Sequence, residues 1–128
     1  MTDQELLSAA REAALGSYSP YSGFRVGAVV IADDGREFRS ANVENAAYPV
    51  SQCAEANAIN YAASHGVRKI DTVAVACIDA RELDLAYPCG RCRQIMSEFD
   101  PDRILVTTAA GDFRAHKMDD LLPYRFSF

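Results

Sequence analysis

The first part of the chain carries apolar residues at helical spacing. Across residues 6–14 the apolar positions return every three or four residues, which is the period of an amphipathic helix. Thr2 and Glu5 have the spacing of a capping box before this stretch, and Gly16 is a stop signal after it. The pattern therefore predicts an amphipathic first helix.

The next apolar run is short, continuous and rich in β-branched residues. Residues 26–32 form this run, residues 33–35 are a tight-turn signal, and residues 37–43 can return as a second strand. Two strand patterns joined by such a turn favour a β-hairpin.

Helical and strand patterns alternate after the hairpin. Ser51 is predicted to cap a second helix that runs to about Ser64 and stops at Gly66. Residues 72–78 have the pattern of a buried strand, and residues 89–99 that of a third helix. The predicted starts of the second and third helices are where the cysteines concentrate.

The last quarter of the chain adds a strand and short elements. Residues 103–108 predict a strand, residues 110–112 a turn, and residues 118–122 a short helical turn. Helices placed between strands imply crossover connections that cover both faces of a sheet. The expected fold is α/β, a three-layer α/β/α sandwich with a mixed sheet, in one domain over residues 1–128.

Composition and charge narrow the classes of partner. The chain has 128 residues, of which 49% are hydrophobic, enough for one core. Lys and Arg number 13 against 18 for Asp and Glu, and the net charge of −5 opposes attraction to nucleic acid. No apolar run approaches the roughly 20 residues of a membrane helix, and the amino end is acidic where a signal peptide is basic. We expect a cytoplasmic protein with no membrane or nucleic-acid partner.

Four cysteines are candidates for packing, redox or metal chemistry. Cys77 lies in an apolar run and is expected to be a buried small hydrophobic residue. Cys89 and Cys92 have a spacing that suits one zinc ion, although structural zinc sites and redox dithiols share it. Cys53 begins another helix, and convergence of the two helix starts would give three thiolates and an open fourth position, as a catalytic zinc needs.

Glu55 stands two residues after Cys53, close to that open position. Zinc lowers the pKa of a water, and a nearby carboxylate can carry the released proton to a substrate nitrogen. The alternative is a solvated glutamate that interacts favourably with the helix dipole. From residue chemistry alone, a zinc-binding scaffold without activity also stays open.

Two segments around these residues resemble the signature of a known family. Residues 53–55 (Cys-Ala-Glu) and 88–94 (Pro-Cys-Gly-Arg-Cys-Arg-Gln) are similar to the cytidine deaminases in their short three-cysteine form. Further matches at residues 20–28, 42–48 and 121–123 extend the resemblance over nearly the whole chain. It implies a mixed five-stranded sheet, a homotetramer, and Zn²⁺ held by the three cysteines beside a catalytic glutamate.

The resemblance also implies residues that bind substrate. Family members place an Asn and a Glu on the ribose hydroxyls, matched here by Asn42 and Glu44, and an aromatic ring on the pyrimidine, matched by Phe24. Ala54 completes the candidate set within the subunit. Without the resemblance, a polar strand end and a core phenylalanine would be the simpler interpretations.

Two further aromatic residues match positions that reach a neighbouring subunit's active site in this family. These residues are Tyr48 and Phe126. Surface aromatics are often only packing residues, so the assignment depends on the homotetramer that the resemblance implies.

The function implied is zinc-dependent hydrolytic deamination of cytidine and deoxycytidine to uridine and deoxyuridine with release of ammonia, as in pyrimidine salvage. A deaminase for a blasticidin S type antibiotic shares the two signatures, but the complete ribose pattern at residues 42–45 disfavours it. An enzyme that edits RNA or DNA needs a basic binding surface, which the acidic composition disfavours.

One position departs from the family pattern. Many three-cysteine members have Arg immediately after the catalytic Glu, and this chain has Ala56. Three thiolates and Zn²⁺ sum to −1, so the missing cation leaves an excess negative charge. Helix-start N–H groups, with Arg91 or Arg93, are the candidates to offset it.

Overall fold

Four helices and five strands follow one another along residues 1–128 of the computed structural model. The helices are α1 (Asp3–Ala14), α2 (Ala54–Ser64), α3 (Gly90–Glu98) and α4 (Met118–Leu121). The strands are β1 (Val26–Ala32), β2 (Glu37–Ala41), β3 (Ile70–Cys77), β4 (Arg103–Thr108) and β5 (Phe113–His116). Two 3₁₀ turns, Tyr48–Val50 and Leu83–Leu85, precede α2 and α3.

The five strands form one mixed sheet in the order β2-β1-β3-β4-β5. Only β3 and β4 run parallel, and α3 provides the crossover that a parallel pair needs. Val26 pairs with Cys77 and Gly27 pairs with Ala41, so β1 begins beside the ends of β2 and β3. This edge of the sheet carries the candidate site.

Helices cover both faces of the sheet, which confirms the predicted sandwich. On one face α1 packs its predicted apolar stripe, Leu6, Leu7, Ala9 and Ala10, against Val29, Ala74, Ala76 and Leu105. The other face carries the larger core, in which α2 and α3 meet the sheet through Ala58, Ile59, Ala62, Cys92 and Met96. The Thr2 capping box that starts α1 is present as predicted. None of the helices is long and apolar enough to cross a membrane.

Gly27 marks the closest approach of the sheet to α1. A Cβ atom built on Gly27 would lie 2.1 Å from the Ala10 carbonyl oxygen and 2.4 Å from the Ala14 nitrogen. Only a residue without a side chain lets α1 settle this close to β1.

The prediction that Ser51 caps α2 is wrong. The helix begins after Cys53, and the Ser51 hydroxyl instead accepts a hydrogen bond of 3.0 Å from the Asn45 backbone N–H. Val43 and Gln52 exchange two backbone hydrogen bonds of 3.0 and 2.9 Å. This bridge keeps the chain extended through Gln52, so the helix cannot start earlier.

Candidate active site

Two helix starts bring three of the four cysteines together. Cys53 is the residue before α2, Cys89 is the residue before α3, and Cys92 lies in the first turn of α3. Their sulfur atoms all lie within 4.8 Å of one another. A tetrahedral zinc with Zn–S bonds of about 2.3 Å holds its sulfurs about 3.8 Å apart, so the cluster fits this metal with small side-chain movements.

The electrostatics of the cluster favour thiolate at Cys53. A hydrogen bond from the Cys92 thiol is the main cause that lowers the pKa of Cys53 to about 6, against the effect of burial. Cys89 and the Arg91 guanidinium lower it further. The same contact with Cys53, together with burial, raises the pKa of Cys92. Of the two arginines considered from the sequence, Arg91 is therefore the one that acts on the charge of the cluster.

Arg93 is directed elsewhere. Its Nε donates to the Pro88 carbonyl at 2.9 Å and its Nη1 donates to the Leu121 carbonyl at 2.8 Å. These bonds tie α3 to the segment before Cys89 and to the carboxyl-terminal helix. Arg93 thus supports the loop that presents the cysteines, whereas Arg91 is the arginine that lowers the pKa of Cys53.

Glu55 lies in the first turn of α2 with only 4% of its surface exposed. Burial is the main cause that raises the pKa of Glu55 to about 7, and the negative charge of Cys53 adds to it. A carboxyl group with a pKa near neutrality can both take up and release a proton at physiological pH. The alternative of a solvated surface glutamate does not fit this burial.

A cavity of about 470 Å³ opens beside the cluster, at the sheet edge where β1 begins and β2 and β3 end. This volume is typical of a site for a small molecule. No Lys or Arg is among its lining residues. It brings together all four substrate residues predicted within the subunit, namely Phe24, Asn42, Glu44 and Ala54, with Cys53, Glu55 and Cys89.

Asn42 uses most of its amide to hold the strand start. Its Oδ1 accepts hydrogen bonds from the Ser17 hydroxyl at 2.5 Å and the Val26 N–H at 3.0 Å. Its Nδ2 donates to the Phe24 carbonyl at 2.9 Å. One amide hydrogen is left for a ligand in the cavity, so Asn42 fixes the position of Phe24 as well as lining the site.

Glu44 organises the loop that follows Pro20. One carboxylate oxygen accepts from the backbone N–H groups of Tyr21 and Ser22 at 3.1 and 3.0 Å, and the other contacts the Ser22 hydroxyl. Hydrogen bonds from the Ser22 side chain and backbone, with that from Tyr21, lower the pKa of Glu44. An ionised acceptor therefore stands at the rim of the cavity.

Tyr48 and Phe126 do not line the cavity of their own subunit. Tyr48 is 70% exposed and contacts Tyr21 edge to face beside a second depression next to the site. Phe126 is 66% exposed and contacts Phe128 near the carboxyl end. Their predicted contribution to a neighbouring subunit stays a prediction.

Half of the lining residues were not predicted as site residues, and Cys77 and Tyr87 are among them. Cys77 is buried as predicted, yet it also lines the cavity because it ends β3 at the site edge. Tyr87, two residues before Cys89, forms another part of the wall. The position of Cys77 at the end of a strand was a usable signal, since ligands in open α/β sheets bind beyond the carboxyl ends of strands.

Comparison with known proteins places this geometry in a family. A family model described as the cytidine and deoxycytidylate deaminase zinc-binding region matches residues 1–108. The chain belongs to this deaminase family. It is 38% identical over 129 residues to a cytidine deaminase of Halalkalibacterium halodurans, with 99% of this chain and 96% of that protein covered.

A solved structure and a further relative agree with that assignment. The crystal structure of a cytidine deaminase from Burkholderia pseudomallei superposes with a TM-score of 0.92 at 38% identity, over 98% of this chain and 100% of that one. A blasticidin-S deaminase of Bacillus cereus is 30% identical over 130 residues, with 98% of this chain and 92% of that protein covered. The predicted deaminase family, its fold and its zinc are confirmed.

Proposed function

We propose that this deaminase hydrolyses cytidine and deoxycytidine to uridine and deoxyuridine, with release of ammonia. The observation that carries the proposal is the buried Glu55 beside the cysteine cluster, in the wall of a cavity that Asn42 and Glu44 also line. The cavity has room for the pyrimidine base beside the cysteines and for the sugar beside Asn42 and Glu44.

Cys53, Cys89 and Cys92 are the residues that would hold Zn²⁺. When bound, the metal supplies a Lewis acid that makes a water nucleophilic near neutral pH. Arg91 stabilises the thiolate of Cys53. Because Cys53 and Cys89 stand at the starts of α2 and α3, the positive ends of the two helix dipoles would add to this effect. The cluster keeps three protein ligands, which suits a catalytic rather than a closed structural site.

Glu55 moves the protons of the reaction. Water adds to C4 of the pyrimidine, and Glu55 takes the proton that this water loses. It gives that proton to N3, then takes the proton of the new C4 hydroxyl and passes it to the amino group. The C4–N bond breaks as the C4 carbonyl forms, and the amino group leaves as ammonia. The pKa of about 7 at Glu55 suits both transfers.

The remaining predicted residues position the nucleoside. Phe24 offers an aromatic surface to the base, and Ala54 leaves space at the start of α2. Asn42 has one amide hydrogen and Glu44 has acceptor capacity for sugar hydroxyls. Replacement of Asn42 by Ala tests this positioning of the nucleoside.

The cavity favours a nucleoside over a nucleotide. The family description covers both cytidine and deoxycytidylate deaminases. A nucleotide phosphate needs cationic or amide-rich partners, but the lining has no Lys or Arg and carries the ionised Glu44 at its rim. A substrate phosphate would meet like charge there.

We also propose a cytoplasmic homotetramer that acts in pyrimidine salvage. Exposed aromatic and apolar residues lie in or next to the chain segments that line the cavity, and a monomer rarely leaves such a surface uncovered. This surface comprises Tyr18, Tyr21, Val43, Tyr48 and Val50. Four free thiols are consistent with a reducing compartment. Light scattering on the purified protein tests the assembly.

A spectrophotometric assay tests the reaction. Wild-type and Glu55→Gln protein are compared on cytidine, deoxycytidine, deoxycytidylate and blasticidin S, with zinc content measured on each. We expect turnover of both nucleosides by the wild type and a loss of about 10³-fold or more in the zinc-loaded variant. A zinc-loaded wild type inactive on both nucleosides would overturn the proposal, and preference for blasticidin S would favour the antibiotic substrate.

A further inference from the structure

Tyr87 joins the wall of the cavity to the last strand of the sheet. Tyr87 lines the cavity together with Leu85 and Cys89. Its hydroxyl lies 2.7 Å from His116 Nε2 and accepts a hydrogen bond of 3.2 Å from Arg114 Nη1. Both partners belong to β5, and neither lines the cavity.

These contacts fix the orientation of the Tyr87 side chain. Because both partners lie outside the cavity, the hydroxyl is directed towards β5, which leaves the rest of Tyr87 to form the wall. Arg114 donates to the phenol oxygen, so the phenol proton remains available to His116. The rings of Tyr87 and His116 lie 5.3 Å apart, which further restricts rotation.

Two arginine side chains also hold the Tyr87 ring in this position. The Arg114 guanidinium is anchored by Asp84 Oδ1 at 2.7 Å and lies 6.0 Å from the Tyr87 ring centre. The Arg93 guanidinium lies 6.0 Å from the same ring. Asp84 belongs to the 3₁₀ turn Leu83–Leu85, so the β5 tether also holds the turn that contributes Leu85 to the wall.

We propose that Tyr87 is a positioning residue of the substrate cavity, and that Arg114 and His116 of β5 hold its ring against the bound nucleoside. This inference rests on the proposed function, because it assumes that the cavity binds the substrate. The edge strand β5 thereby sets the width of the cavity. The chemistry at Glu55 does not involve the phenol hydroxyl, which is directed towards β5.

The test measures binding and turnover separately. Tyr87→Phe keeps the ring and removes the tethering oxygen, while Arg114→Gln removes the cation and leaves the ring and its hydroxyl. We expect either change to raise KM for cytidine about fivefold and to leave kcat within about twofold, which is the signature of lost ground-state binding. The double variant is expected to have the KM of the single ones, because both act through one side chain.

Arg103→Gln is the matched control. Arg103 begins the neighbouring strand β4 and forms an exposed ion pair at 2.8 Å with Asp3 of α1, not with the Tyr87 tether. Arg103→Gln removes a surface ion pair comparable to that of Arg114 with Asp84, so KM for cytidine is expected to stay at the wild-type value. Unchanged KM in both Tyr87→Phe and Arg114→Gln overturns the inference even if their melting temperatures fall, because that result assigns the tether to stability alone.

Further outcomes separate a failure of this inference from a failure of the proposed function. A fall in kcat without a rise in KM, or a loss of zinc from Tyr87→Phe, would place the effect on the reaction or on the Cys89 loop and so overturn the inference. A wild type without activity on any cytosine nucleoside would instead overturn the proposed function, so the two failures are distinguishable.

Discussion

Arg25 and Asp79 form a two-point ion pair between the segment before β1 and the segment after β3. Nε and Nη2 of Arg25 donate to the two carboxylate oxygens of Asp79, each at 2.9 Å. The Arg25 backbone N–H donates to the same carboxylate at 2.8 Å. The pair closes the sheet edge beside Phe24 and Cys77, which both line the cavity.

This ion pair predicts a pH-dependent contribution to stability. Hydrogen bonds from the Arg25 side chain and then its backbone lower the pKa of Asp79 to about 2. A carboxyl group with a lowered pKa in the folded state stabilises the protein above its unfolded pKa of about 3.9, and the contribution is lost as pH falls through the folded value. After discounting for solvent screening, we expect about 1 kcal/mol.

Thermal unfolding of wild type and Asp79→Asn measures this contribution. The variant should melt about 4 °C lower near neutral pH, and the difference should vanish as pH falls from about 4 to about 2. Asp33→Asn, a change at an exposed turn carboxylate, should melt like the wild type throughout. A difference between wild type and Asp79→Asn that does not depend on pH would contradict the prediction.

Gly27→Ala tests the close packing of α1 on β1. The added Cβ would lie 2.1 Å from the Ala10 carbonyl oxygen, so the helix must move or the strand must bend. We expect a loss of about 3 kcal/mol in the free energy of unfolding, measured by urea denaturation. Gly16→Ala is the control, because its Cβ would meet its nearest neighbour at 3.4 Å, and equal losses in both variants would contradict the packing argument.

The sequence predicted the parts of the structure that depend on local pattern. The apolar stripe of α1 predicted both the helix and the face of the helix that packs on the sheet. The cysteines were predicted at two helix starts, and convergence of those starts brings their sulfurs within 4.8 Å. The stripe and the place of each cysteine at a helix start are short-range signals, because periodicity and spacing act within a few turns of one segment. The convergence of the two helix starts is a long-range feature, which the sequence offered only as the condition for a three-thiolate site.

Features that depend on long-range register were not predictable. The start of α2 is set by the bridge between Val43 and Gln52, and no residue near Ser51 signals this bridge. The tether of Tyr87 depends on β5 pairing with β4, which brings His116 within 2.7 Å of the phenol oxygen. Such contacts follow from strand pairing across the sheet, and a single sequence does not encode them locally.

Arg91→Gln tests how the negative charge of the cysteine cluster is offset in a chain that has Ala56 after Glu55. Arg91 lowers the pKa of Cys53 and is held by Gln52 Oε1 at 3.1 Å. Loss of this cation should lower zinc affinity about tenfold, measured by competition with a chromogenic chelator.

Arg93→Gln is the comparison for that experiment. Arg93 donates to the carbonyls of Pro88 and Leu121, so its loss should lower the free energy of unfolding by about 2 kcal/mol with a smaller change in zinc affinity. Wild-type zinc affinity in Arg91→Gln would show that the N–H groups at the helix starts suffice, and would remove Arg91 from this role.

Asn42→Ala separates the two tasks of the Asn42 amide. The residue is 8% exposed, and its loss leaves the Val26 N–H and the Phe24 carbonyl without their side-chain partner. Two unpaired backbone groups should cost about 2 kcal/mol of unfolding free energy. Because Phe24 is then less firmly placed and the last amide hydrogen is gone, KM for cytidine should rise about tenfold or more.

Asn57→Ala is the matched change for that variant. Asn57 donates one hydrogen bond of 2.9 Å from its amide to the Ala41 carbonyl, and it does not line the cavity. Its loss should lower stability by about 1 kcal/mol and leave KM unchanged. If Asn42→Ala and Asn57→Ala raised KM equally, the effect would come from general loosening of the sheet edge; a rise confined to Asn42→Ala is expected, because only that amide faces the substrate.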